Sequence, residues 1–478
     1  MSGARGTPVR AAPAARLGPL ALVAALAGCA GFAPDSGFDA VRQTVREHVA
    51  AEVAWSRDDT GRAALAARVD ELLARPLGMD EAVQVALLNH RGLQAAFGDL
   101  AIADADRVQA GRLPNPGFSF ARLSRGDEVE LERSLHLNLA RLLVMPLASQ
   151  AQQRRFEATQ RAVAQEALTH AAETRRAWIE AVAARESLRY RRQVLEAAGT
   201  AAELGRRMVQ AGNWSALQQA REQGFYAEAQ LGLARAVQAE DAARERLVRR
   251  LGLWGGQLAF TLPQRLPDLP AAPRELPDVE RKAIAQRLDV QAARLGTEQL
   301  ARNLGLARAT RFVNVLELGL VHASSNEAPV QRGWEISLEL PLFDGGGARL
   351  AKSEALYRQA LERTAQIAID ARSEVRQAYR HYRASWDVAR HWRDEVVPVR
   401  RRIADENLLR YNGMLIGVFE LLADARAQVA SVEGYLEALR EFWFARTALD
   451  AALVGPARLA EMPGKVATEA AVPAAPDH

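Results

Sequence analysis

The chain has 478 residues, a formal net charge of +4 and one cysteine. That charge balance excludes a strongly basic nucleic-acid-binding surface, and a lone cysteine excludes an internal disulfide or a cysteine-ligated metal cluster. Although 49% of the residues are hydrophobic, no run beyond the N-terminus reaches the ~18 apolar residues of a membrane-crossing helix. A β-barrel stays open, because its strands escape hydropathy.

Residues 1–28 place Arg5, Arg10 and Arg16 before an apolar stretch from Leu17 to Leu26, the layout of a secretory signal peptide. Leu26-Ala27-Gly28-Cys29 resembles a bacterial lipobox, which implies cleavage before Cys29 and lipid attachment to it. An ordinary signal peptide with an incidental cysteine is the alternative. Ala30, where an aspartate often marks inner-membrane retention, favours the outer membrane. Residues 29–76 read as a lipidated segment with helices, marked by the stripe Phe38, Val41, Val45, Val49 and Val53.

A unit is then written twice, over 77–262 and 278–455, about a proline-rich linker, 263–277, with Pro263, Pro267, Pro270, Pro273 and Pro277. Asn89-His90-Arg91-Gly92-Leu93-Gln94 is echoed by Gln286-Arg287-Leu288-Asp289-Val290-Gln291. Each copy runs through a helix, a short β region, a very long helix (roughly 146–200 and 345–396), a glycine-containing break and a returning helix. Alanines spaced for tight helix packing include Ala158/Ala162, Ala164/Ala167/Ala171 and Ala177/Ala181/Ala184. Residues 456–478 are Ala/Pro-rich and read as a disordered tail.

The β regions alternate. Val129, Leu131, Leu135, Leu137 and Leu139 share one side, with Arg133 the exception, against Glu130, Glu132, Ser134, His136 and Asn138. Trp334, Ile336, Leu338, Leu340 and Leu342 alternate with Glu335, Ser337 and Glu339. Each run has the ~9–11 residues that cross a bilayer when tilted. Partners are expected at Phe118–Leu123 and around Leu316, Leu318 and Leu320, joined through Arg125-Gly126-Asp127 and Ser324-Ser325-Asn326. Four strands cannot close a barrel, and open edges are not tolerated in lipid. The sheet is therefore soluble, or several copies share one barrel.

Together these segments resemble the TolC family of outer-membrane efflux channels. The resemblance rests on Leu77-Gly78-Met79-Asp80-Glu81-Ala82-Val83, on Ala110-Gly111-Arg112-Leu113-Pro114-Asn115-Pro116, on Arg287-Leu288-Asp289-Val290-Gln291-Ala292, and on Leu340-Pro341-Leu342-Phe343-Asp344-Gly345-Gly346, the strand-to-helix turn. It covers about 77–455, and the lipobox points to the lipoprotein branch. It implies a mainly α fold with a small β membrane part and an internal two-fold repeat. Each chain of a homotrimer would give four strands to one transmembrane β-barrel, continued by a long α-helical barrel across the periplasm. Partners implied are a periplasmic adaptor, an inner-membrane transporter and outer-membrane lipid, with no nucleic acid. The first repeat departs from the family at Leu139-Ala140-Arg141-Leu142-Leu143-Val144-Met145-Pro146, where Pro146 suits a helix start.

The family's periplasmic tip corresponds to the breaks holding Gly212, Gly413 and Gly417. Glu420 and Asp424 match the region of an acidic constriction and, four apart, share a helix face. Ordinary solvated surface carboxylates are the alternative. Tyr411 resembles a position that helps hold the tip closed. No enzymatic reading survives. Gly345, Gly346 and Gly347 precede Lys352, but Ala351 stands where a phosphate loop needs glycine. Scattered histidines and methionines give no metal site, and no cofactor is expected. The expected function is the passive exit duct of a tripartite efflux system. The second-repeat tip resembles channels paired with heavy-metal exporters, so metal or drug cargo is expected. The alternatives are a type I secretion duct and a pore-free, lipid-anchored periplasmic scaffold.

Overall fold

The computed structural model describes residues 31–312 and 315–456. In chain order these form α1 (Phe38–Val49), α2 (Asp59–Leu73), α3 (Met79–Asn89), α4 (Arg91–Ala110), β1 (Gly117–Arg125), β2 (Glu128–Asn138), α5 (Leu139–Gln210) and α6 (Ala216–Leu251). Then follow α7 (Val279–Gln286), α8 (Leu288–Ala309), β3 (Leu316–Ser325), β4 (Gln331–Leu338), α9 (Gly347–His391), α10 (Val397–Asn412) and α11 (Val418–Ala452). The two compact units do not follow sequence order. One takes Gly98–Gln160 and Ala292–Thr364 with the N-terminal segment through Phe38; the other takes Asp39–Phe97, Arg161–Gln291 and Ala365 onward. Each draws on both sequence repeats.

The first long helix starts earlier than expected. Asn138 accepts the Arg141 N–H at 2.8 Å on Oδ1, so α5 begins at Leu139 and Pro146 lies inside it rather than at its start. The cap satisfies a free N–H of the first turn, and Pro146 removes one later bond without ending the helix. The second long helix reaches Pro398 through a π turn over Trp392–Val396, in which the Val397 N–H donates to the Trp392 carbonyl. The wider turn absorbs the missing proline donor, and helix resumes as α10.

The core of the second unit is built from α2, α3, α5, α6, α7, α9 and α11, with Ala167, Ala171, Ala181, Ala243, Ala283 and Ala389 buried. The expected Ala158/Ala162 pair is not part of a buried face, since Ala162 is exposed. The 263–277 segment is no loose linker. Leu266 and Leu269 are buried, Trp443 Nε1 donates to the Pro267 carbonyl and Trp386 Nε1 to the Pro270 carbonyl, each at 3.0 Å. Prolines hold the strap extended and leave its carbonyls free to accept from indoles.

One junction geometry occurs twice. The His90 N–H donates to Ala86 O at the α3–α4 break, as the Arg287 N–H donates to Ala283 O at the α7–α8 break. At the first, Asn89 Nδ2 reaches the Leu251 and Gly252 carbonyls ending α6. At the second, the Leu288 N–H reaches the Val454 carbonyl beyond α11.

Candidate functional site: the sheet and the hairpin turns

The four strands form an antiparallel sheet in the order β1-β2-β3-β4. Gly126, at φ +63°, sits in the two-residue turn between β1 and β2. Register puts Phe118, Leu135, Leu320 and Trp334 in one row, and Leu137, Leu318 and Ile336 in the next, on one face. The opposite face carries Ser119 and Ser134, then His136, Gly319 and Glu335. Large apolar side chains lie open on the first face: Trp334 is 70% and Phe118 68% exposed, whereas on the other face Ser134 is buried and Ser119 and Glu335 are exposed. A sheet packed for water would bury the first set.

On the polar face Ser134 Oγ lies 2.7 Å and Ser119 Oγ 3.1 Å from His136 Nε2, while His136 Nδ1 lies 3.0 Å from Glu335 Oε1. That pair spans β3 across Gly319, where an added Cβ would stand 2.6 Å from Glu335 Cγ. Only a residue without a side chain leaves the crossing open. β4 ends at Leu338, so Leu340 and Leu342 extend beyond the strand rather than continuing its face, because Pro341 has no ladder donor.

Asp344, Gly345 and Gly346 form the strand-to-helix turn. The Gly346 N–H donates to Asp344 Oδ1 at 2.8 Å, and Arg311 Nε to the Gly345 carbonyl at 3.1 Å. Gly346 has φ +70°, and a Cβ there would meet the Arg311 carbonyl at 3.1 Å, so conformation and space both demand glycine.

The two hairpin turns share a helix-ending pattern but not its residues. After α5 the Gly212 N–H donates to Val209 O and the Asn213 N–H to Met208 O, with Gly212 at φ +76°. After α10 the Met414 N–H donates to Tyr411 O and the Leu415 N–H to Arg410 O, with Met414 at φ +61°. Both are Schellman closures. In the second, Gly413 lies one residue early, at φ −83°, and methionine takes the left-handed position. Gly417 precedes α11 with extended backbone at φ −82°. Met414 is 93% exposed, and Leu415 is also exposed.

Glu420 is exposed in the first turn of α11 and has no ion pair among the described residues. Asp424 is half-buried and accepts a hydrogen bond from Asn407 Nδ2, tying α11 to α10. The two carboxylates thus share a helix face but not an environment. Tyr411 is half-exposed in the last turn of α10, its hydroxyl unpartnered among the described residues. Cys29 lies outside the described residues.

Deeper in the hairpins, a charged pair escapes sequence reading. Glu222 on α6 is fully buried and pairs with Arg426 on α11, whose guanidinium also lies 4.8 Å from the Phe225 ring centroid. Arg191 and Glu433 form a second tie at 2.9 Å; burial pushes the Glu433 carboxyl upward, against the pull of Arg191. The only sequence signal was that Arg426 lacks an acid at helical spacing; its partner is some two hundred residues away.

Among the described residues no group of three or more metal-ligating side chains is found, and no helix is long and apolar enough to cross a membrane.

No protein-family model and no curated protein matches the chain. Solved structures do. CusC, described in terms of transmembrane channel formation, is 17% identical at a TM-score of 0.66, covering 80% of this chain and 92% of its own. The outer-membrane channel OprN is 19% identical at 0.67, covering 80% and 91%. The outer membrane protein VceC of Vibrio cholerae is 16% identical at 0.65, covering 81% and 96%. The chain has the TolC-like fold of outer-membrane channels.

Proposed function

We propose that the chain is the outer-membrane exit duct of a tripartite efflux system, a conduit and not an enzyme. The observation that carries this is the sheet: large apolar side chains stand exposed along one face, and β1 and β4 end it as open edges. Lipid on the apolar face and water on the polar face account for that exposure. Cyclic closure of three copies, twelve strands in all, would remove every edge. The long helices then line the periplasmic conduit, with lipid on Cys29 as a further anchor. Glu420 and Asp424, repeated three-fold, place carboxylates around the narrow end, where they favour cations. An adaptor and an inner-membrane pump supply the drive, and the pump sets the cargo, metal or drug.

The test is covalent cross-linking in intact envelopes, capture through a C-terminal tag, and conductance of the purified protein in planar bilayers. The expected result is a heat-resistant trimer, captured with an adaptor and a pump, that conducts. A monomer without conductance, captured with neither, would leave the pore-free scaffold in its place.

A further inference from the structure

One row of the apolar sheet face is cationic. Two residues beyond Phe118, Leu135, Leu320 and Trp334, toward the β1–β2 and β3–β4 turns, register aligns Phe120, Arg133, His322 and Arg332 side by side. Arg122 follows in the next row, beside Leu131 and Ser324. No carboxylate occupies either row on this face, and none of these four basic residues forms an ion pair among the described residues. Many arginines of the helical regions, such as Arg154, Arg191 and Arg287, pair with an acid; here the nearest acids, Glu130, Glu132 and Glu335, point to the opposite face. Arg133 and Arg332 are exposed.

The level of the row matters. An arginine facing lipid costs ~2–4 kcal/mol at the bilayer midplane and ~0–1 near an interface. Arginines at one level are therefore tolerable only at the edge of the apolar band. The band fits below them. From Trp334 through Ile336 to Leu338 it spans about 13 Å at ~3.3 Å per residue, and beyond the strand Leu340, Leu342 and Phe343 are exposed as well. Trp334 and Phe118 stand in the last apolar row, where interfacial aromatics belong.

We infer that Arg122, Arg133, His322 and Arg332 form a binding surface for the phosphate groups of phosphorylated lipids in the outer leaflet. Guanidinium forks match phosphate oxygens, and the absence of an internal acid leaves them unpaired until lipid arrives. With three copies, the row becomes a belt around the barrel. The inference rests on the proposed membrane insertion, so its test separates the two.

Wild-type protein, Arg133→Gln/Arg332→Gln and, as a control on the opposite face, Arg125→Gln are inserted into nanodiscs of phosphatidylcholine with a minor fraction of bis-phosphorylated lipid A. Insertion is scored by heat-modifiable trimer mobility and protection of the sheet from protease. Lipid A retained after mild detergent extraction is then counted by mass spectrometry. All three proteins should insert. Wild type and Arg125→Gln should retain lipid A over phosphatidylcholine, and the double variant should lose retention about five-fold per arginine removed. Millimolar inorganic phosphate should not displace the lipid. Equal retention by the double variant, no preference for lipid A, or displacement by inorganic phosphate overturns the belt while leaving insertion intact. Failure of wild type to insert overturns the membrane reading and the belt with it. If only the double variant fails to insert, Arg332→Gln alone is compared, and unchanged retention by that inserted variant overturns the proposal.

Discussion

Arg287 is the largest fully buried side chain among the described residues. It donates to Asp289 at 2.7 Å and to Glu374 at 2.8 Å, and its Nη1 also reaches the Ala452 carbonyl. It joins the α7–α8 break to α9 and to the end of α11. Removing it strands two carboxylates, so Arg287→Met should cost about 3 kcal/mol, read as a lower thermal midpoint of the helical signal. His170 occupies a comparable place at the other junction. It is buried, its ring centroid 4.0 Å from that of His90, and its Nε2 lies 3.0 Å from the Arg250 carbonyl. Burial first, then the neighbouring His90, pushes its pKa down to about 3. The unfolded chain, with an ordinary imidazole near ~6.5, therefore binds more protons between those values. The stability this neutral histidine preserves is present above pH ~6.5 and is lost as pH falls, by about 2 kcal/mol at pH ~5. His170→Gln should flatten the acid limb of a plot of thermal midpoint against pH. Gly319→Val should separate His136 from Glu335, and the proposed trimer should then dissociate at a lower temperature.

At the scale of elements, the helical hairpins are closed twice by one hydrogen-bond pattern, and the second closure is strained. A non-glycine residue in the left-handed region costs roughly 1–2 kcal/mol, so Met414→Gly should raise stability by about 1 kcal/mol, while Gly212→Ala should lower it by a similar amount. Hydrogen exchange at the turns would register both. The sequence shows the glycines but not which residue takes the left-handed position, because Gly413 and Met414 are neighbours and the choice falls with the last turn of α10. Helix ends were likewise only partly legible. Pro146 reads as a helix start and the second long helix as ending near 396, whereas capping by Asn138 starts α5 earlier and a π turn lets helix continue through Pro398. Strand alternation was legible because side chains in a sheet repeat every two residues whatever the partner. The truncation of β4 followed from Pro341.

For the whole molecule, the proposed conduit concentrates its charge selectivity at the hairpin turns. Glu420 is exposed and unpaired among the described residues, whereas Asp424 is held by Asn407. Glu420→Gln should therefore lower cation preference, measured as a shift in reversal potential across a salt gradient, more than Asp424→Asn does. Equal effects would mean that the Asn407 contact does not distinguish the two carboxylates.

What the sequence alone determined is what depends on local periodicity and chemistry: long helices, two alternating strands with two expected partners, two breaks, and the resemblance to outer-membrane channels. Tertiary structure decided what depends on residues far apart in the chain. Register brought Arg133, His322 and Arg332 into one row, and Gly319 between His136 and Glu335. Helix packing paired Glu222 with Arg426, and the proline segment became a strap under Trp386 and Trp443. Local preference is set by a residue's own backbone and near neighbours, whereas a row or a buried pair exists only once the chain has brought distant segments together.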